Sequence, residues 1–324
     1  MIAYREQVAV ALRAVAVVSS SSYSWFGRRS RPLPPEVTSA ASSPAVREYL
    51  TDALQRELYR SFYSQGKPVP WLRRGGVARP DHAFVAALSS ANAGAGGWEE
   101  GWRVANLERG FVLAERDGLR VRARASDCRT AGESCAIGLR RPKELTAGAP
   151  GFYTALGDLA PGRDGIEVRV YFNVGAAGAA PLVAACTRLL NEARIPFSLK
   201  VASQPMGFAR CDAAVLYLDD GDSGRLRPLL AALASACRVH LRCDPPAFAR
   251  PLFGGVSVGE HLPSLGASFG ASRCRLVAEG IVAAHEADAH GLQDRVDAVA
   301  GRFARHGLDL DAPYLAPGSS HGLG

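Results

Sequence analysis

A pattern of strand, helix, strand and strand extends from Glu167 to Leu218. Its first eight residues alternate between polar and apolar, the period of a β-strand with one buried face. Apolar residues then recur at helical spacing up to Pro196, which disfavours helix at the residue before it. The residues after Pro196 alternate again, and the last eight form an almost continuous apolar run, as expected for a strand covered on both faces.

The polar positions of the first two strands carry groups suited to binding. Arg169, Tyr171 and Asn173 share one face of the first strand, and Lys200 lies on the polar face of the second. If both strands belong to one sheet with their apolar faces together, these four side chains point the same way. The pattern therefore predicts a cation-rich binding surface on one face of the sheet.

The rest of the chain alternates predicted helices with short strands, which indicates an α+β fold with a mixed central sheet, packed helices and two halves that share a cleft. We predict helices at 1–18, 45–62 and 226–237, a hairpin across Asp117-Gly118 and a short strand at 238–242. The arginines at 120, 122 and 124 in this hairpin are expected to form a solvated face. The predicted organisation is an N-terminal helix and linker (1–44), an α+β half with a glycine-rich loop (45–160), a βαβ-containing half (161–312) and a flexible tail (313–324).

Composition narrows the choice of ligand. The chain has 324 residues, 48% of them hydrophobic, and a formal net charge of +7, which suits an anionic ligand. No dense basic run interleaved with aromatic residues is present, so a nucleic-acid partner is not expected. Lysine occurs only at Lys67, Lys143 and Lys200 among many arginines. A lysine amine can be made a base by its surroundings, whereas an arginine keeps its proton.

Several classes of site are disfavoured. Seven cysteines without a C-x-x-C pair argue against a disulfide scaffold or a zinc ribbon, and His285 and His290 are five residues apart, so no metal is expected. Charged residues inside 1–18 argue against a signal peptide or a membrane span, so we expect a cytoplasmic protein with reduced thiols and no membrane partner.

Two glycine-rich stretches invite a functional interpretation. The segment Leu88 to Val104 is a possible substrate loop, but it lacks the spacing of a nucleotide-binding motif. Gly255 to Gly259 matches G-x-S-x-G, but a nucleophile elbow requires a helix directly after the serine, and Pro263 disfavours one.

A later helix supplies another candidate cation. Arg273 falls within the apolar stripe of the helix that begins near residue 270, in its first turn. We expect this side chain to point inward at the N-terminal end of the helix, where free backbone N–H groups also favour an anion. The alternatives are an arginine that extends out to solvent or pairs with a core carboxylate.

Taken in order, several segments resemble the HopA-type family, which is named for a type III secretion effector and has bacterial members in gene clusters for lanthipeptides and thioamide-containing peptides. These segments are LSSANAGAGGWEEGWRV, RRPKELTAGAPGFYTALGDL, RVYFNV, TRLLNEARIPFSLKV, RCDAAVLYL and SFGASRCRLVAEGIV.

The resemblance implies a lyase without a cofactor. A separate kinase similar to aminoglycoside phosphotransferases would phosphorylate serine or threonine in a precursor peptide, and this protein would eliminate the phosphate to leave a dehydroamino acid. Such an elimination needs a base, cations around the phosphate and stabilisation of carbonyl charge. Lys200 is the expected base, Lys143 the competing one, and Tyr171 would orient the substrate or donate a proton.

The remaining site residues are assigned as follows. Arg169, Arg210 and Arg273 would bind the phosphate. Asn173, Asn92 and Tyr153 would contact the rest of the substrate. The alternative function is a non-catalytic effector or scaffold that binds a peptide or a host protein.

Overall fold

The computed structural model describes residues 3–70, 79–130, 136–160, 165–219, 223–261 and 268–319. Its helices are α1 (Tyr4–Ala14), α2 (Pro35–Ala40), α3 (Ser43–Ser61), α4 (His82–Ala91), α5 (Ala179–Glu192), α6 (Ser223–Ala236), α7 (Phe269–Glu286) and α8 (Leu292–Arg305). Its strands are β1 (Val15–Ser19), β2 (Ser22–Trp25), β3 (Arg28–Arg29), β4 (Gly97–Glu108), β5 (Phe111–Arg116), β6 (Leu119–Arg124), β7 (Cys128–Thr130), β8 (Ala136–Arg141), β9 (Glu144–Ala149), β10 (Phe152–Leu156), β11 (Glu167–Phe172), β12 (Ser198–Ala202), β13 (Ala214–Asp219), β14 (Arg250–Phe253) and β15 (Val256–His261).

A central sheet with the order β14-β15-β11-β13-β12-β10-β9 organises the molecule. Each adjacent pair of its strands is antiparallel. The expected α+β class is confirmed. Parallel strands, which a mixed sheet contains, occur here only as second neighbours, such as β11 and β12 on either side of β13. Because β13 lies between β11 and β12 and is antiparallel to both, the unit β11-α5-β12 is a parallel crossover with a strand inserted in the middle.

Helices cover both faces of this sheet. Residues of α4, α5 and α6 form one hydrophobic core with the apolar face of β11 and β12, as their alternation predicts. Residues of α1, α3, α7 and α8 form a second core on the opposite face, and Tyr171 and Val215 belong to it. The sheet is therefore the middle of three layers, and the polar residues of β11 and β12 face the α3–α7 layer.

A separate antiparallel sheet has the order β6-β5-β4-β8-β7 and its own small core around Trp102 and Ile137. The hairpin predicted across Asp117-Gly118 is β5–β6, where both turn residues have positive φ. The three arginines of β6 are exposed, as expected for a solvated face.

Three local expectations need correction. The N-terminal helix ends at Ala14, and β1 begins at Val15, where β-branched residues favour strand. Instead of a strand, 238–242 contains a short 3-10 turn, with a single bridge between Leu241 and Val174. The segment 313–319, assigned to a flexible tail, contributes Pro313 and Ala316 to the buried part of the protein.

The predicted boundary near residue 160 falls between β10 and β11, which are strands of the same sheet. The division of the chain into halves stays a prediction. Within the described segments, none of the helices has the length and apolar character needed to cross a membrane.

Candidate functional site

A cavity of about 140 Å³ lies between the central sheet and the α3–α7 layer. Arg169, Tyr171, Lys200 and Arg210 line it, so four of the predicted site residues come together. The other lining residues are Tyr59, Tyr63, Phe152, Asp212, Val215, Tyr217, Ser268 and Gly270. Two larger grooves, of about 570 and 400 Å³, each contain a single arginine among their described lining residues. The smaller cavity is therefore the better anion site.

Strand register explains why these side chains converge. Arg169 pairs with Tyr217, and Tyr171 pairs with Val215, across β11 and β13. Lys200 on β12 is the other neighbour of Val215. Since paired residues of an antiparallel sheet point to the same face, the row Tyr171–Val215–Lys200 places the phenol and the amine two strands apart on the cavity face.

Arg210 is held by a carboxylate and a phenol. Its Nε donates to Asp212 Oδ1 at 2.5 Å, and Nη2 donates to Asp212 Oδ2 at 2.7 Å and to the Tyr59 hydroxyl at 3.1 Å. Tyr59 in turn donates to Asp212 Oδ2 at 3.2 Å. These bonds fix the plane of the guanidinium and use one side of it, so the two Nη1 protons remain available to a ligand.

Arg169 is oriented in a similar way. Its Nε donates to Glu167 Oε1 at 2.6 Å, and the guanidinium carbon lies 5.2 Å from the centre of the Tyr217 ring. No described group accepts a hydrogen bond from its Nη1 or Nη2. Each arginine therefore has one edge fixed by a carboxylate and another edge free for oxyanion binding.

Lys200 has a different environment from the two arginines. Its Nζ lies 4.2 Å from the centre of the Phe152 ring, and within the described ranges no carboxylate or carbonyl accepts a hydrogen bond from it. Burial lowers the pKa of Lys200 below that of an ordinary lysine, and the charges of Arg210 and Arg169 lower it further, against an opposing effect of Asp212. A lysine so placed gives up its proton more readily than one in water.

Tyr171 is buried, with 2% of its surface exposed. No described group accepts a hydrogen bond from its hydroxyl. Burial raises the pKa of Tyr171 above its usual value, although the Tyr63 hydroxyl lies close enough to lower this pKa as a donor, so the phenol keeps its proton at neutral pH. It is therefore a buried donor on the wall of the cavity, without an acceptor.

Three of the predicted residues form a separate network. Asn92 Nδ2 donates to the Tyr153 hydroxyl at 2.9 Å and to the Lys143 carbonyl at 3.0 Å. Tyr153 donates to Glu144 Oε2, and Lys143 Nζ donates to the carbonyls of Ser89 and Asn92. Tyr153 belongs to the core under α4 and α5, because its position on β10 points opposite to that of Phe152. The structure therefore does not bring Asn92, Lys143 and Tyr153 to the cavity.

Asn173 also lies outside the cavity lining. β11 ends at Phe172, and the Asn173 amide donates to the Asp244 carbonyl at 2.7 Å. Its backbone bonds to Gly255 and Arg242. Asn173 thus ties the end of the strand to the 241–255 segment instead of extending the polar face.

Arg273 is inward and fully buried, as expected, but its partners are backbone carbonyls and the Ser272 hydroxyl. Nε donates to Pro313 O at 2.9 Å, and Nη2 donates to Leu315 O at 2.8 Å. Burial lowers the pKa of Arg273 to about 10. The guanidinium therefore fixes the 313–316 segment, and Arg273 is not among the residues that line the cavity.

The two glycine-rich stretches are not open anion sites. In the loop after α4, the Asp158 carboxylate accepts from the N–H groups of Ala95 and Gly96, at 2.9 and 3.0 Å. Asn92 Oδ1 accepts from Gly94 N. Ser257, in the G-x-S-x-G stretch, is buried in the middle of β15 and not on a strand-to-helix turn. Both stretches are structural in this fold.

The sequence analysis does not identify Asp212, Tyr59 or Tyr63 as site residues. Arg210 and Asp212 lie at a bend and a turn before β13, so their pairing is not evident from strand alternation. Tyr59 and Tyr63 are one helical turn apart, with ring centres separated by 5.1 Å. Only the packing of α3 against the sheet reveals that their faces border a cavity.

The model of the HopA1 effector protein family matches residues 146–315, more than half of the chain and the part that carries the cation cluster. A search among curated proteins finds no match.

Two solved structures are similar to the chain. The effector protein from Pseudomonas syringae pv. tomato strain DC3000 is 17% identical with a TM-score of 0.48, and the match covers 83% of this chain and 95% of that one. The effector protein from Pseudomonas syringae pv. syringae strain 61 is 14% identical with a TM-score of 0.48, and the match covers 82% of this chain and 92% of that one. On the strength of the family model, the chain belongs to the HopA1 effector protein family.

Proposed function

We propose that the protein is a phosphoserine and phosphothreonine lyase. It removes phosphate from a phosphorylated precursor peptide by β-elimination and leaves a dehydroamino acid. The observation that carries the proposal is Lys200, an amine without a hydrogen-bond acceptor among the described residues, in a cavity that it shares with two arginines. The resemblance to lyase components of lanthipeptide and thioamitide gene clusters points to the same reaction.

The reaction assigns a task to each group. The neutral amine of Lys200 takes the proton from Cα of the phosphorylated residue. The electron pair of that C–H bond forms the Cα–Cβ double bond, and the Cβ–O bond breaks with its electrons going to the phosphate. The lowered pKa of Lys200 raises the fraction of neutral amine at working pH, which is what a general base requires.

The arginines suit the leaving group. Arg169 and Arg210 each keep free N–H donors on a guanidinium whose other edge is fixed by a carboxylate. Donors that are fixed before the reaction stabilise the charge that develops on phosphate without reorganising. A hydrolase would also need an activated water molecule or a nucleophile, whereas elimination needs only a base and cations that bind the phosphate.

The size of the cavity is compatible with the proposed substrate class. A space of about 140 Å³ accepts one phosphorylated side chain and leaves the flanking residues outside. The phosphate is added by a partner kinase of the aminoglycoside-phosphotransferase type. Both proteins would then act in the cytoplasm on the same precursor peptide.

Mass spectrometry of phosphoserine and phosphothreonine peptides tests the proposal. The purified protein, alone and with its kinase, is expected to convert them to products lighter by one phosphoric acid, which a thiol then adds to. Lys200→Met is expected to lose at least about a hundredfold in rate, the lower range for removal of a general base. A Lys67→Met variant serves as control because Lys67 is exposed and does not line the cavity.

The alternative function predicts a different result. A non-catalytic effector or scaffold would bind the peptide and leave it unchanged, and the Lys200→Met variant would alter affinity alone. Unchanged phosphopeptide in the presence of the kinase would contradict the lyase proposal and favour this alternative.

A further inference from the structure

The first turn of α7 forms part of the cavity wall, through Ser268 and Gly270. Ser268 is the N-cap, and its Oγ accepts a hydrogen bond from Ala271 N at 3.3 Å. The first intrahelical bond runs from Ser272 N to Ser268 O. The N–H groups of Phe269 and Gly270 precede it, and no described group accepts from them. An 18-residue helix thus presents at the cavity the positive end of its dipole and N–H donors that have no acceptor among the described residues.

Because Gly270 has no side chain, the ring of Tyr63 can approach the backbone of this turn. A Cβ atom added there would lie 2.3 Å from the ring of Tyr63, so Tyr63 packs directly against the helix backbone. Tyr63 also packs edge-on against Tyr171, with ring centres 6.5 Å apart, and near Phe269 at 6.3 Å. The aromatic rings therefore hold the helix terminus close to Tyr171.

The Tyr171 hydroxyl is an independent sign of a ligand at this place. It is a buried donor on the wall of the same cavity, and none of the described residues accepts its proton. Buried polar groups in folded proteins are almost always hydrogen-bonded, and an exception at a cavity indicates a missing partner. A ligand oxygen near the start of α7 would supply that partner.

Sheet order sets the distance from this end of the cavity to Lys200. α7 packs on β15, which is the neighbour of β11. Tyr171 and Arg169 lie on β11, and Lys200 lies on β12, two strands away, or about 10 Å between backbones. A phosphorylated residue with its Cα at the Lys200 amine would extend its side chain away from the base. Its phosphate would then lie on the β11 side, beneath the start of α7.

We propose that the N-terminus of α7 and the Tyr171 hydroxyl form, with Arg169, the subsite that binds the phosphate of the substrate. This inference rests on the proposed lyase function for the identity of the ligand, a phosphomonoester. The backbone N–H groups of Phe269 and Gly270 donate to phosphate oxygens, and the Tyr171 hydroxyl donates to another. Arg210 lines the same cavity, and its charge lowers the pKa of Lys200.

A pair of N-cap substitutions tests the subsite without relying on turnover. Asp and Asn both cap helices as well as Ser does, so Ser268→Asp and Ser268→Asn should unfold at similar temperatures. Only the Asp variant adds a negative charge beside the free N–H groups. Calorimetric titration of each full-length variant with inorganic phosphate should show about tenfold weaker binding for Ser268→Asp than for Ser268→Asn. Tyr171→Phe, which removes only the hydroxyl, should also bind phosphate more weakly than the wild type.

Equal phosphate affinity of the two Ser268 variants would overturn the inference, and so would a wild-type protein that binds no phosphate. The phosphopeptide assay separates this failure from failure of the lyase proposal. A protein that binds phosphate at α7 but leaves phosphopeptides intact retains the subsite and loses the lyase. One that eliminates phosphate, with equal affinity in both variants, retains the lyase and loses the subsite.

Discussion

At the scale of single residues, the proposed elimination depends on the protonation state of Lys200. Burial lowers its pKa first, Arg210 and Arg169 lower it further, and Asp212 raises it. The base is active when neutral, so activity should rise with pH through this pKa and then level off. We expect the midpoint of the rise in kcat/KM to lie below the ordinary lysine value of about 10.4.

The variant Asp212→Asn tests the pH dependence of kcat/KM in a second way. Because Asp212 raises the pKa of Lys200, its neutralisation should move the midpoint to lower pH. It should also raise KM, since Arg210 loses the carboxylate that orients it. Profiles of kcat/KM for both proteins check this, and a midpoint that moves to higher pH would contradict the electrostatic assignment.

Much of the cation cluster could be predicted from alternation alone. Arg169, Tyr171 and Lys200 occupy polar positions on two strands, and any shared sheet with apolar faces together brings them to one side. Tyr153 shows where such reasoning fails, because it is one residue from Phe152 and so points to the opposite face. Without the register of β10, the sequence does not say which of the two neighbours reaches the cavity.

At the scale of elements, the start of α7 is shaped by close packing on Gly270. Gly270→Ala forces a methyl group against the Tyr63 ring at 2.3 Å, and we expect it to cost about 2 kcal/mol of unfolding free energy, as overpacking does. Gly301→Ala is the matched control. It also lies in a helix, its added Cβ meets nothing within 4 Å, and the change should stabilise by about 0.5 kcal/mol.

Denaturant unfolding of both glycine variants measures the contrast. A Gly270→Ala variant as stable as the wild type would show that Tyr63 does not press on the helix. The phosphate subsite would then lack its packing support.

The segment 313–316 is a second structural device, which we call the C-terminal strap. Arg273 donates to two of its carbonyls. The Glu260 N–H donates to Tyr314 O, and the Glu260 carboxylate accepts a hydrogen bond from Ala316 N. Truncation after Ala312 would leave a buried guanidinium without these acceptors. We expect a loss of about 3 kcal/mol in unfolding free energy.

The same truncation in an Arg273→Met background isolates the role of the guanidinium. It should cost less there, because no buried charge is left without partners. Equal costs in both backgrounds would show that the strap acts by packing alone. The sequence indicated an inward arginine at this position. It could not identify the acceptors, which lie about forty residues further along the chain.

At the scale of the whole molecule, the sequence predicts the α+β class and the elements between 167 and 218 but not the strand order. β13 enters the sheet between β11 and β12, although it follows both in the chain. Local patterns carry no information about that insertion, because it depends on pairings between distant strands. The insertion matters for the site, since Val215 of β13 separates Tyr171 from Lys200 and gives the cavity its width.

The architecture also explains how a basic protein can gather cationic groups in one place. Arginines of the β4–β8 sheet pair with nearby carboxylates, such as Arg122 with Glu108 and Arg120 with Glu115. In the cavity, the carboxylates fix the arginines but leave the Lys200 amine without an ion pair among the described residues. The fold thereby separates a solvated basic surface from a recessed cation cluster.

The most direct test of the central claim uses a phosphothreonine peptide that carries deuterium at Cα of the modified residue. Its product is weighed after incubation with the wild-type protein and with Lys200→Met. The wild type is expected to yield a peptide that has lost phosphoric acid together with the deuterium, while Lys200→Met leaves the substrate unchanged. A dephosphorylated threonine that keeps its deuterium would instead indicate hydrolysis, and that result would contradict the assignment of Lys200 as the base of an elimination.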